Sequence, residues 1–203
     1  MDIIQVDPNA FYEYSKNKSC SGFTSLMYLV TNTREHPEYL DQIKYILDNK
    51  LEDINKQNKL GWTALMLSVH NYNYISTLET VELLLEYKPD LYVRNINGSI
   101  ALTYALTNRM IFLSPVALLL LEHGHDVNML FDYDFTVLMH MIYFNHDITS
   151  IEYILEKTNI DLSIKNGYDN TVYDIAIIKQ RYDVAELIKK YQDNSLDTKC
   201  ALD

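Results

Sequence analysis

The feature that most constrains this chain is its likeness to itself. The hexapeptide Gly61-Trp62-Thr63-Ala64-Leu65-Met66 has four counterparts: Gly22-Phe23-Thr24-Ser25-Leu26-Met27, Gly98-Ser99-Ile100-Ala101-Leu102-Thr103, Asp134-Phe135-Thr136-Val137-Leu138-Met139 and Asp169-Asn170-Thr171-Val172-Tyr173-Asp174. The copies begin at residues 22, 61, 98, 134 and 169, so the spacing contracts from 39 to 35 residues. A second signature trails each start: Tyr45-Ile46-Leu47-Asp48, Leu83-Leu84-Leu85-Glu86, Leu119-Leu120-Leu121-Glu122 and Tyr153-Ile154-Leu155-Glu156, each followed by Asp-x-Asn or a variant of it. A period of this length implies like units, each burying its apolar face only against its neighbours.

Each unit reads as two helices and a turn. The threonine of the start can cap a short helix. Apolar residues then recur at helical spacing, as in Leu65, Ser68 and Val69, and a second stripe follows at Val81, Leu84 and Leu85. Gly124 and Pro89 mark where second helices stop. The Asp-x-Asn stretch up to the next glycine forms an extended, finger-like turn.

These motifs resemble the ankyrin repeat, whose unit of about 33 residues opens Gly-x-Thr-Pro-Leu-His and closes Leu-Leu-x-x-Gly-Ala-Asp-Val-Asn. The resemblance implies an all-α ankyrin-repeat solenoid of about five helix-turn-helix units with finger-like turns and a short N-terminal capping helix. The units fall at 19–57, 58–94, 95–130, 131–165 and 166–191, together an ankyrin-repeat domain over 19–191. Residues 1–18 form a capping segment opened by Asp7-Pro8, and 192–203, without periodicity, a flexible tail. The chain departs from the family in lacking proline at every start and in its longer units. The excess falls between the two helices, near Thr33–Pro37, Tyr72–Thr77, Arg109–Ser114 and His146–Thr149, where it leaves the stacking core untouched. The Thr-Ala-Leu-Met start, the insertion Asn73–Val81 and a composition rich in Asn, Ile, Lys and Tyr resemble ankyrin proteins of large DNA viruses, those of amoeba giant viruses and poxviruses among them.

Composition narrows the function. The formal charge of −11 argues against nucleic acid and anionic membranes as partners. The longest apolar run, Val116–Leu121, is far short of a membrane span, and the N-terminus carries no secretory signal. The expectation is a soluble intracellular chain in host cytoplasm, with the nucleus also open to it, and a monomer rather than a homo-oligomer. Neither GxGxxG, GxxxxGK[ST] nor GxSxG occurs. Cys20 and Cys200 fall outside any shaped pocket, and His123-Gly124-His125-Asp126 overlays a turn whose neighbours offer no further zinc ligands. His140 reads as an interior histidine; His36, His70 and His146 read as solvated. No catalytic residue, metal or cofactor is expected, and the chain is not expected to be an enzyme.

What remains is the concave face, where first helices and fingers meet partners in a repeat stack. Its candidate contacts are Leu60, Trp62, Met66, Ile96, Phe131, Tyr133, Phe135, Tyr143 and Tyr168. Aromatic anchors of this kind concentrate binding energy, although Phe131 and Phe135 could instead fold back onto the stack. The resemblance implies a non-catalytic module that binds a partner protein, a host factor in the viral case. The alternatives are an enzyme inhibitor that inserts a finger and a structural protein that pairs with itself.

Overall fold

The computed structural model describes residues 22–72, 74–107, 114–131, 134–157 and 159–200, with side chains through 193. The capping segment 1–18 and Cys20 lie outside the described residues. Among those described, ten helices occur and no strand beyond isolated bridges. They come in pairs: α1 (Ser25–Val30) with α2 (Tyr39–Asp48), α3 (Ala64–His70) with α4 (Leu78–Glu86), α5 (Ala101–Thr107) with α6 (Pro115–Glu122), α7 (Val137–Tyr143) with α8 (Ile148–Lys157), and α9 (Val172–Ile178) with α10 (Tyr182–Cys200). The chain forms two compact units. The first runs to Ala105 and includes Pro115–His123; the second comprises 106–114 and the residues from Gly124 onward.

A helix of six or seven residues leaves most of its backbone N–H groups without an intrahelical acceptor. The repeated threonine answers that deficit. Thr24, Thr63 and Thr136 stand extended before α1, α3 and α7, and each Oγ1 accepts from the N–H three residues on, at 3.2, 3.2 and 3.3 Å. Thr171 does the same for Asp174, whose carboxylate accepts in return from the Thr171 N–H, closing a capping box on α9. In the third copy Ile100 replaces threonine. There Thr103 Oγ1 accepts from the Ile100 N–H at 3.3 Å, which supplies half of the same box.

The slot that opens each copy, two residues before the threonine or Ile100, is left-handed in all five, with φ of 83° at Gly22, 76° at Gly61, 83° at Gly98, 54° at Asp134 and 63° at Asp169. Aspartate can stand in for glycine in the last two copies because its short polar side chain tolerates this region. Three residues ahead of the slot, Asn58, Asn95 and Asn166 are buried. Each Oδ1 accepts two backbone N–H groups of its own finger, from Leu60 and Trp62, from Asn97 and Ser99, and from Tyr168 and Asn170. Asp53, Asp90, Asp126 and Asp161 fold the start of each finger by accepting from the N–H two residues on, at 2.9 Å in every case.

In the first unit, α1 packs on α2 and α3, α2 and α3 on α4, and α4 on α6. Leu26, Leu65 and Leu102 of the first helices and Ile43, Val81, Leu84 and Leu120 of the second are at most 2% exposed. Two inter-helix insertions meet here. The Arg34 N–H reaches the Ile75 carbonyl at 3.3 Å, and Thr80 Oγ1 donates to Thr33 Oγ1 at 2.7 Å. In the second unit α7 packs on α8 and α9, and α10 on α8 and α9, around Leu138, Ile142, Ile151, Ile154, Val184 and Ile188. One expectation fails at the end: α10 continues to Cys200 through residues read as a loose tail. The apolar periodicity of the sequence stops after Tyr191, so it carries no signal for the helical backbone beyond that point.

Candidate functional site

The first unit places an aromatic cluster on the exposed side of its first helices. Trp62 follows the left-handed Gly61, so its ring leaves the finger toward α3 and α5. It stacks on Tyr104 with centroids 4.5 Å apart and meets His70 edge-on at 5.3 Å. His70 meets Tyr104 at 5.2 Å, closing a triangle. Tyr104 is held from behind, its hydroxyl accepting from Asn95 Nδ2 at 2.5 Å. Partial burial against these rings holds the His70 imidazole below its ordinary value.

The fingers beside this cluster are pinned together. The Ile96 N–H donates to the Leu60 carbonyl at 3.1 Å, and Gln57 Nε2 bridges the carbonyls of Gly61 and Arg94 at 2.6 and 2.8 Å. A Cβ on Gly61 would lie 2.7 Å from Asn95 Cα, so the approach itself requires glycine. Ile96 rides on this pinned backbone with 67% of its surface exposed, and Leu60 and Trp62 are half-buried. Met66, expected on this face, is 1% exposed. It lies on the side of α3 that packs into the stack, and Tyr104, which the sequence did not single out, occupies the surface instead.

The second unit uses its aromatic residues differently. Phe131 is 3% and Phe135 5% exposed, so neither is an available contact residue. Phe131 stands where the other fingers carry asparagine. It keeps the same backbone bond, donating to the Phe135 carbonyl at 3.0 Å, but turns its ring inward onto His140, 4.6 Å away and nearly parallel. Phe135 meets His140 and Tyr143 edge-on at 5.6 and 5.4 Å. His140 is interior, as its place on the apolar side of α7 implies.

The exposed members here are Tyr143 on α7 and Tyr168 on the next finger, at 43% and 78%. Lys179 Nζ sits 4.1 Å above the Tyr143 ring. Ile178, at 59%, holds the position on α9 that Tyr143 holds on α7. It was missed because an isoleucine at a helix end reads as core. Tyr133 lies outside the described residues.

The remaining candidates behave as scaffold. His123 Nδ1 donates to the Leu119 carbonyl at 2.8 Å, and His125 is buried. Among the described residues no three His, Cys, Asp or Glu side chains are grouped to hold a metal, and no helix is long and apolar enough to cross a membrane. His146, read as solvated, is 1% exposed. Its Nε2 donates to the Leu106 carbonyl at 2.9 Å, and its own carbonyl accepts from Arg181 Nη1 at 2.8 Å. Burial pushes its value down. The inter-helix loop that carries it folds under rather than out, held by these two bonds, while the other ring nitrogen, Nδ1, is buried without a hydrogen-bond partner.

Residues 26–131 match a family model described as ankyrin repeats in three copies. Ankyrin repeat protein L86 of Acanthamoeba polyphaga mimivirus is 33% identical over 198 residues, an alignment covering 87% of this chain and 34% of that protein. L122 of the same virus is 36% identical over 95 residues, 47% of this chain and 15% of that protein. L289 is 37% identical over 91 residues, 43% and 16% respectively. The chain thus spans about a third of the length of L86 and less of the other two.

Proposed function

Since this chain belongs to the ankyrin-repeat family, we propose that it binds a protein partner through the exposed side of its first helices and fingers, without catalysis. Ankyrin repeats are generally protein–protein interaction modules, and the family is typically non-enzymatic. The observation that carries the reading is Ile96. An isoleucine with two-thirds of its surface in water, on a backbone fixed by a bond to the neighbouring finger, joins the half-buried Leu60 and Trp62 in one apolar patch, and such patches mark interaction sites. Pinning also lowers the entropy lost when a partner docks.

Because the relatives above are viral, the partner in this reading is a host protein met inside the infected cell, in cytoplasm or nucleus, by a monomer. Contacts are Leu60, Trp62 and Ile96 in the first unit and Tyr143, Tyr168 and Ile178 in the second. The test is capture from host lysate by wild type, by Trp62→Ala/Ile96→Ala and by Tyr143→Ala/Tyr168→Ala, with circular dichroism to confirm folding. A protein retained by wild type and lost by either pair is the expected result. Equal retention by all three sinks this assignment of the face.

A further inference from the structure

We infer that the first unit's finger-and-helix face accepts an acidic peptide segment carrying an apolar anchor. This rests on the reading of that face as a partner surface and adds the partner's charge. Overall charge points the other way, since a chain at −11 would be expected to favour basic partners. The acidic residues, however, are sorted by element. No Asp or Glu occurs from Ile54 to Leu78, or from Leu91 to Ala105. These stretches hold the returning limbs of two fingers, all of α3 and most of α5, the elements that bear Trp62, His70, Ile96 and Tyr104. Their charged side chains are Lys56, Lys59 and Arg94, all exposed.

The acids that immediately precede these stretches in sequence are tied to backbone N–H groups. Both Glu52 oxygens accept, from the Ser25 and Leu26 N–H groups at 3.1 Å, and Asp53 and Asp90 fold the finger starts. Most others lie on the second helices, such as Asp41, Asp48, Glu79, Glu82 and Glu86. The corresponding positions of the second unit include Asp134, Asp169 and Asp174, so the charge preference belongs to the first unit.

The scale of these charges decides the kind of anion. Their reach is about one Debye length, roughly 8 Å at physiological salt. Beyond it the net negative charge repels. A long polyanion meets that repulsion along its whole length and finds three cations, too few to hold a nucleic acid backbone. A short segment seated first by an apolar side chain against Trp62 and Ile96 brings its carboxylates to the exposed lysines of the finger that leads into Trp62, Lys56 and Lys59, while Arg94 already donates to the Gly98 carbonyl at 2.9 Å. Charges on such a rim select the partner and set salt dependence more than they add affinity.

The experiment is selection of a displayed random-peptide library on the full chain. The enriched peptides are then measured by fluorescence anisotropy at low and high salt, beside a labelled single-stranded oligonucleotide. The expected result is acidic peptides with an aromatic or large aliphatic anchor. Their affinity falls about tenfold in Lys56→Glu/Lys59→Glu and less than about twofold in Lys44→Glu/Lys50→Glu, which changes net charge equally but elsewhere. Equal loss in both pairs overturns the inference, since net charge alone would then explain it. Neutral or basic peptides that still depend on Trp62 overturn it while leaving the partner surface standing. An empty selection removes both readings. An oligonucleotide that binds more tightly than any peptide replaces the peptide with nucleic acid.

Discussion

Tyr104 lies face to face with Trp62, centroids 4.5 Å apart at 26°, while its hydroxyl accepts from Asn95 in the finger between them in sequence. One side chain therefore both supports a half-buried tryptophan and fixes the amide that shapes the finger. Tyr104→Phe should keep the stack and lose the hydrogen bond, costing about 1 kcal/mol. Tyr104→Ala should lose the stack as well and cost about 2 to 3 kcal/mol. Urea denaturation of the three proteins checks this. Equal stability of wild type and Tyr104→Phe would mean that Asn95 finds another partner.

Gly61 and Gly98 occupy equivalent slots with similar positive φ, yet their surroundings differ. A Cβ at residue 61 meets Asn95 Cα at 2.7 Å and Ile96 N at 2.9 Å, whereas at residue 98 nothing lies within 4 Å. Gly98→Ala should carry only the conformational penalty of a left-handed alanine, about 1 kcal/mol. Gly61→Ala must also push back a finger backbone and should cost about 3 kcal/mol. Thermal melts that rank the two equally would refute the close approach.

Asp134 tests the same slot from the other direction. Its φ of 54° is tolerated because aspartate is at home there. Asp134→Ala should destabilise by about 1 kcal/mol. Asp134→Gly should stay within about 0.5 kcal/mol of wild type, since its easier backbone is offset by a freer unfolded chain. A denaturation series in which alanine matches glycine would remove the argument.

The helix pairs, their threonine caps and their buried leucines were legible because each obeys a local rule at a fixed offset. Which side of a first helix faces water was less so. Met66 and Tyr104 are both large residues of first helices, yet Met66 is buried while Tyr104 is only partly so, held by the bond from Asn95 and the stack on Trp62. Phe131 was ambiguous for a related reason. Its position reads as a finger tip, but without an asparagine amide the loop has an apolar ring to bury and a nearby His140 to bury it on. His146 was misread because loops are usually solvated. The acceptor that draws it inward, the Leu106 carbonyl, lies 40 residues away.

That buried histidine makes stability depend on pH. Burial lowers the folded-state value of His146 despite the Leu106 carbonyl and Asp147 carboxylate pulling it up, and burial likewise lowers His70. An imidazole that protonates more readily in the unfolded chain stabilises the fold fully above its unfolded value of 6.5, and that contribution is lost as pH falls below it. Asp147 acts in a separate window. Burial raises its value, but bonds from Thr149 Oγ1, Ser150 Oγ and the Ser150 N–H outweigh it and bring it to about 2. Its contribution is present above 3.8 and disappears as pH falls from there toward 2. Urea midpoints between pH 7.5 and 5 therefore read the histidines without Asp147. The midpoint should fall across this range in wild type. His146→Gln, whose amide can still donate to the Leu106 carbonyl but cannot be protonated, should flatten the fall, and His70→Asn should flatten it less. An unchanged slope in His146→Gln would show that the imidazole titrates alike in the folded and unfolded chains.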